Sequence, residues 1–563
     1  MSNAKIIGLA AAGLAAFFTA VFFGISQIED SSATYDEPVH LASGYLALKT
    51  QLPPLNWRDH PPLAEMWGAL PLLFLNPSTM TLNPDFGRLY NFSDQFIYQN
   101  RVDASRLLNS ARIWNLISLL LILFPAVLAW SWSLGRETSF LAASFFLAFC
   151  PPIFSNFALA TTDAMPTVFY FLTCFFLSRP NRRLTDWALS GLCLGGALAS
   201  KFSMIMLPIV IVSALLTEAR VSPKRRPKIS QILIFVFLAA LTLAFAYRLS
   251  GFSLYWDGLL QTLTRLSHGR PSFLWGRYSQ NGFWDFFLVA LAVKTPIPLL
   301  LFAGLGIYLA LRKPSDQEIW LLMPPVAYFI AALISKTDIG YRHILPTYPF
   351  LIVLGSRAVA ALKIRLSRGM FATSLIVGAL WTALSVLRAY PHYLVYFNEL
   401  TGGPSGGYQL LADSSLDWGQ GLKDLGRELK KRGNPPIILS YFGVADPSYE
   451  GIRYFPLAFY SNVDRRDGTA LPKNSGPLLL AISETNLQAV YFADKNIFSW
   501  LKKRKPAFTA GNSIFVYDLT HDLKGRKTLS NLLAASGSIE AAKTVLSGEP
   551  PRSRKFFPRA RNE

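Results

Sequence analysis

Apolar residues recur in blocks of about twenty over the first two-thirds of the chain, separated by short basic stretches or by longer polar ones rich in aromatics. As helices, blocks of this length match a hydrocarbon core about 30 Å thick. They fall at roughly 5–25, 112–134, 138–156, 161–178, 186–199, 202–217, 230–249, 286–311, 319–335, 342–361 and 370–388. The pattern predicts a polytopic α-helical membrane protein with about eleven spans. Near residue 390 the period changes. Strand candidates at Ile437–Phe442, Leu478–Ile482 and Ser513–Leu519 alternate with helix candidates at Trp418–Lys431 and Phe498–Lys503, which predicts a soluble α/β module.

Three regions are expected: a membrane domain at 1–389 containing a large first external loop at 26–111, the α/β module at 390–520, and a basic tail at 521–563. The tail should pass from a weak helix into disorder at Glu549-Pro550-Pro551-Arg552-Ser553-Arg554-Lys555. In the first external loop, Pro38 suits a first helical turn and Val39–Lys49 has helical periodicity. Asp59-His60-Pro61-Pro62-Leu63 then opens a segment whose Trp67, Leu70, Leu72, Leu73 and Phe74 suit the membrane interface. A second external loop near 250–285 sets Trp256, Trp275, Tyr278 and Trp284 among Arg265, His268, Arg270 and Arg277, a mixture that anchors at headgroup depth. No internal repeat and no phosphate-binding glycine motif is evident.

With 52% hydrophobic and 16% charged residues, the chain has far more apolar length than one soluble core needs. A formal charge of +20 raises nucleic acid as a partner, but the cations gather in short loops. These hold Arg179, Arg182 and Arg183; Arg220, Lys224, Arg225, Arg226 and Lys228; Arg312 and Lys313; and Lys363, Arg365 and Arg368. Their alternation predicts that all four loops are cytoplasmic and face anionic membrane lipids, with no nucleic-acid partner. Lys5 then places the N-terminus inside, and the first segment is expected to remain as an anchor rather than be cleaved. The first loop and everything beyond about residue 390 should then lie on the outer side of the membrane. Cys150, Cys174 and Cys193 all fall in apolar spans, so no disulfide framework is expected.

Asp36-Glu37-Pro38, just beyond span 1, puts two carboxylates at the mouth of the bilayer. Asp36 is the candidate general base, and Glu37 would orient a substrate or stabilise helix N-termini; the competing reading is a simple helix cap. Asp163, in Thr161-Thr162-Asp163, could approach Asp36 across the bundle and share in catalysis, or cap span 4. Lys201 and Lys294 lie in or between apolar runs, where an ammonium faces a cavity or a partner unless it snorkels to the headgroups, so both are candidate phosphate ligands. Arg342 and His343 stand at the outer edge of a span, one able to grip a phosphate in bidentate fashion and the other to donate to it. His60 has no second His or Cys at ligand spacing, so it is expected in loop structure or a substrate groove rather than on a metal, and Tyr341 is a further groove candidate. Asp413-Ser414-Ser415-Leu416-Asp417-Trp418-Gly419-Gln420 reads as a polar turn followed by a capped helix.

These strings occur in an order that resembles the glycosyltransferase family 39 group, the protein O-mannosyltransferase-like enzymes of the GT-C fold, and in particular its bacterial phospholipid-carrier-dependent branch. The carriers are Asp36-Glu37, His60-Pro61-Pro62-Leu63, Thr162-Asp163, Ser200-Lys201, Lys294-Thr295-Pro296, Arg342-His343-Ile344-Leu345-Pro346, Tyr396-Phe397-Asn398-Glu399 and Leu416-Asp417-Trp418-Gly419-Gln420. The resemblance implies a GT-C membrane domain of about 11 to 13 transmembrane helices with an extracytoplasmic α/β domain. It implies inverting transfer from a polyprenyl-phosphate monosaccharide, Asp36 as the catalytic residue, and Lys201, Lys294 and Arg342 at the donor phosphate. It implies no cofactor and no obligatory metal. The C-terminal module does not resemble the sugar-binding repeat domain of the eukaryotic protein mannosyltransferases, which leaves lipid, glycan and protein acceptors open. A multi-span transporter or lipid flippase is the alternative that spans and buried cations also allow.

Overall fold

The computed structural model describes residues 2–50, 54–79, 89–249, 251–312, 316–457 and 476–547. Lys313 and the tail segment expected to be disordered lie outside them. Seven described helices are long and apolar enough to cross a membrane: Asn3–Asp30, Ala104–Ala148, Phe202–Val221, Ile229–Ala246, Asp316–Ile334, Tyr341–Arg365 and Arg368–Leu387. The bent pair Phe286–Lys294 and Ile297–Arg312 raises the number to eight, and Ala164–Ser178 and Leu184–Leu198 are shorter apolar helices. Phe18, Leu121, Ile209, Leu301 and Ile376 stand exposed on these helices, as contact with lipid tails requires. The protein is an integral membrane protein.

The apolar blocks seen in the sequence are largely helical, and three of the departures shape the path of the chain. Asp103 caps the second helix by accepting from the Arg106 amide at 3.2 Å, so this helix starts at Ala104, well before 112. The same helix breaks at Gly135–Arg136, where Arg136 takes φ of 52° and a Cβ on Gly135 would meet Ser139 Oγ at 2.0 Å. The chain therefore runs down one span and back up the next: Asn115 bonds the Leu159 carbonyl at 3.0 Å at one end, while Lys363 reaches Thr138 at 3.2 Å at the other. The block at 286–311 is not a straight span. Its two helices meet at 118° across Thr295-Pro296, and Asn398 satisfies the freed carbonyls of Ala292 and Thr295 at 2.6 and 2.7 Å.

The basic loops gather at one end of the bundle. Arg225 pairs with Glu218 and Asp316, both at 3.1 Å, Arg179 pairs with Asp186 at 2.9 Å, and Lys5 with Glu137 at 2.6 Å. The first loop, the aromatic loop and the C-terminal module cover the other end. In the aromatic loop, β1 (Ser272–Leu274) and β2 (Arg277–Ser279) form an antiparallel hairpin, joined to the module by a bridge from Leu274 to Leu411.

The module is a five-stranded sheet of β3 (Ile437–Ser440), β4 (Tyr454–Pro456), β5 (Leu479–Ser483), β6 (Phe508–Ala510) and β7 (Ile514–Asp518), in the order β4-β3-β5-β7-β6. The β3 strand runs parallel to β4 and β5, while β7 is antiparallel to β5 and β6. Alternation along the strands sends Ile437, Leu439, Ala481 and Val516 to one face, in a core shared with Leu41, Ala42, Tyr45 and Phe96 of the first loop. Ile438, Leu480, Ile482 and Phe515 face the other way and are covered by Leu529, Leu533, Ala541 and Val545. The helices Leu523–Ala535 and Ile539–Ser547 are thus part of the module, which extends beyond 520. The helix expected from Trp418 starts at Leu422, because Gly419 takes φ of 91°, outside the helical region.

Candidate functional site

A cavity of about 220 Å³ opens at the end of the bundle away from the basic loops, and Asp36, His60, Lys201, Arg342 and His343 all line it. Segments far apart in the sequence thus deliver five of the residues singled out above to one chamber. Asp36 is the N-cap residue of the helix Glu37–Lys49 but makes no capping bond with its side chain. Its carboxylate instead faces the Arg342 guanidinium at 3.3 Å and keeps 24% of its side-chain surface exposed. Asp163, at the start of Ala164–Ser178, likewise makes no capping bond. It holds Lys201 at 2.5 Å through Oδ1 and Arg342 at 3.1 Å through Oδ2.

Arg342 is fixed on several sides. Its Nε donates to Ser414 Oγ at 3.1 Å, its guanidinium lies 4.0 Å from the centre of the Trp418 ring, and Asp163 holds NH1. The Asp413–Gln420 segment is therefore a contact between module and bundle rather than a helix cap. Asp417 accepts from the Thr485 amide at 3.2 Å, and Asp413 from Tyr491.

Four expected site residues take other places. Asp163 does not line the cavity: its carboxylate is fully buried and both oxygens are occupied by the two cations, so it positions them and is closed to substrate. Glu37 is also fully buried, with Arg112 donating to it at 2.8 and 2.6 Å, Thr34 at 2.8 and 2.9 Å and the Ala160 amide at 2.9 Å. Burial works against its charge, but Arg112 and these bonds hold the Glu37 carboxyl below the usual range. It stabilises the loop rather than reaching the cavity. Lys294 donates to the carbonyls of Leu394 and Tyr396 at 3.0 and 2.7 Å and lies 4.0 Å from the Phe397 ring centre. It ties the start of the module to the bundle, away from any phosphate in the chamber. Tyr341 points into the core, where Asn156 donates to its hydroxyl at 2.9 Å.

Other lining residues are not among the site candidates of the sequence, Arg265 and Arg270 being expected there only as headgroup anchors. Arg270 exposes its side chain on the cavity wall, and Arg265 is there too, paired with Asp59. His40 lies one helical turn beyond Asp36, its amide bonded to the Asp36 carbonyl at 3.1 Å. The sequence signal for His40 was this spacing of four on a helix opened by Pro38. Glu65 and Arg112 gave no such signal, since nothing local reveals a partner 25 or 75 residues away. The His60 ring stands edge-on to His40 at 5.0 Å, and Thr162 Oγ1 is 3.3 Å from its Nδ1. Burial, with the nearby His40 and Lys201, pushes His60 well below the ordinary imidazole range, so it is a neutral hydrogen-bonding group. Among the described residues, no group of three or more His, Cys, Asp or Glu side chains is arranged to hold a metal ion.

These features define a chamber at one end of the bundle in which carboxylates face several cations. Residues 104–247 match the family described as dolichyl-phosphate-mannose-protein mannosyltransferase, the same group that the motifs resemble. No curated protein matches the chain. Among solved structures, it is similar to ArnT from Cupriavidus metallidurans bound to undecaprenyl phosphate, with 12% identity over 92% of this chain and 98% of that one, at a TM-score of 0.46. ArnT in the apo state gives 13% identity over the same shares, at 0.47. The Archaeoglobus fulgidus oligosaccharyltransferase tethered to an acceptor peptide gives 12% identity over 79% of this chain and 64% of that one, at 0.43. Overlaps this loose carry no inference about the chemistry of the chamber.

Proposed function

We propose that this protein is an integral-membrane glycosyltransferase that moves one sugar from a polyprenyl-phosphate carrier to an acceptor hydroxyl on the extracytoplasmic side. The observation that carries this reading is the pairing in one small chamber of a partly exposed carboxylate, Asp36, with Lys201 and Arg342, which a buried Asp163 holds in place. The acceptor oxygen attacks the anomeric carbon as Asp36 takes its proton, and the bond to the phosphate oxygen breaks with its electron pair leaving on the phosphate. Lys201, Arg342, His343 and Arg270 supply the preorganised positive charge and donors that a departing phosphate needs.

The reading includes inversion at the anomeric carbon, in a single displacement by the acceptor oxygen. Asp163 is closed off by its two cations, and Asp59, also on the cavity wall, is engaged by Arg265. The volume of the chamber, below the roughly 300–1,000 Å³ of ordinary ligand pockets, suits a single sugar unit rather than an oligosaccharide. The match over 104–247 supports a polyprenyl-phosphate donor, and the acceptor is a lipid, glycan or protein hydroxyl.

The test incubates the purified protein in lipid nanodiscs with synthetic polyprenyl-phosphate monosaccharides and follows release of free polyprenyl phosphate. Wild-type protein is expected to release it, and Asp36→Asn to cut the rate by about 10²–10⁴-fold at unchanged expression and insertion. Near wild-type release by D36N removes the base assignment.

A further inference from the structure

His40 is 3% exposed, and its Nδ1 lies 2.9 Å from Glu65 Oε1. Glu65 is itself enclosed and takes two further bonds, from Ser43 Oγ at 2.6 Å and from Asn56 Nδ2 at 2.7 Å. A carboxylate that receives these donors accepts from the imidazole as well, so Nδ1 carries hydrogen and the neutral ring presents a lone pair at Nε2. That nitrogen is buried and finds no hydrogen-bond partner among the described residues, while the ring lines the chamber beside Asp36. An unpartnered buried nitrogen whose tautomer is fixed from behind is an arrangement for moving a proton.

We propose that His40, held by Glu65, receives from Asp36 the proton released by the acceptor hydroxyl. This rests on Asp36 being the base. The acceptor O–H bond breaks, its electron pair forms the new bond to the anomeric carbon, and the electrons of the breaking sugar–phosphate bond stay with the phosphate. The proton passes to Asp36 and then, through one bridging water, to the Nε2 lone pair, which has no direct partner among the described residues. The imidazolium gives the proton up to solvent through the chamber. Asp36 returns to its anionic form opposite Arg342 before the next turnover.

The groups around the ring fix the direction of its titration. Burial disfavours the imidazolium, but Glu65 from the neighbouring helix, Asp36 at the start of its own helix and the charge of Asp163 together raise the proton affinity of His40. His60 stands edge-on to it, and Lys201, Arg342, His343 and Asp59 line the same chamber. Transfer should therefore fall as pH drops through the titration of His40, because a protonated Nε2 cannot accept.

The test measures release of free polyprenyl phosphate against pH from the synthetic polyprenyl-phosphate monosaccharide that the wild-type protein turns over, and separately follows ¹⁵N-histidine resonances of the full-length protein in nanodiscs. His40→Gln is expected to lower kcat about tenfold and to remove the acid limb. Glu65→Gln should move that limb, and the His40 resonance midpoint, to lower pH by at least about half a unit. D36N should shift the His40 midpoint as well, a readout that needs no turnover. If H40Q retains the wild-type rate and limb, or if E65Q lowers thermal stability without moving either midpoint, the relay is overturned while the assignment of Asp36 stands. If D36N turns over normally, the base assignment fails first and the relay falls with it.

Discussion

The Glu37 carboxylate accepts five hydrogen bonds with no access to solvent, two of them from the equally enclosed Arg112. Removing one member of such a pair strands a charge in low dielectric, at a cost of about 3–5 kcal/mol. Arg112→Met should therefore lower the melting temperature sharply in a detergent thermal-shift assay, and the double variant R112M/E37Q should recover part of the loss. Asp36 behaves differently although it is the adjacent residue, because the first turn of the helix directs its side chain towards Arg342. The sequence marks both carboxylates and favours Asp36 as the base, but gives no sign that Glu37 is closed off, since that depends on an arginine 75 positions away. The same holds for Lys294. A lysine in an apolar run must find oxygen, and the backbone carbonyls of Leu394 and Tyr396 serve as well as a phosphate does.

At the scale of elements, the helices Glu37–Lys49 and Leu63–Ala69 approach so closely that a Cβ on Gly44 would lie 2.1 Å from the Glu65 carbonyl. Gly44→Ala must push them apart, and is expected to weaken the His40–Glu65 contact and reduce transfer severalfold, checked by rate and by thermal melt together. Periodicity revealed the spans because lipid imposes one demand along their whole length. It located three strands of the module as well. It missed β4 and β6, each three residues long, too short to show alternation. Burial in the module pushes the Asp417 carboxyl up to about 7 and Asp413 up to about 6. A carboxyl raised in this way binds its proton more tightly folded than unfolded, so it weakens the fold as pH climbs from about 4, the unfolded value, to about 7. Melting should occur at a higher temperature at pH 5 than at pH 8, and Asp417→Asn should flatten that difference.

For the whole molecule, the cationic loops and the chamber occupy opposite ends of the bundle. The four clusters of Lys and Arg in the sequence anticipated this polarity, because their alternation with the spans leaves one consistent arrangement. Cys150, Cys174 and Cys193 are buried, giving little background for thiol labelling. A cysteine placed at Lys224 and another at Lys503 should react with a membrane-impermeant maleimide from opposite sides, the second from outside intact cells. Labelling of both from one side would contradict the orientation.

Arg342 draws its support from two regions of the chain: Asp163 of the bundle lies beneath it, and Ser414 and Trp418 of the module enclose it from above. The module is consequently not a cassette that could be traded for another extracellular head. Any graft in its place would have to bring an aromatic face and a hydroxyl to the same two points, or the guanidinium would swing loose and the bundle, though fully inserted, would be an idle shell.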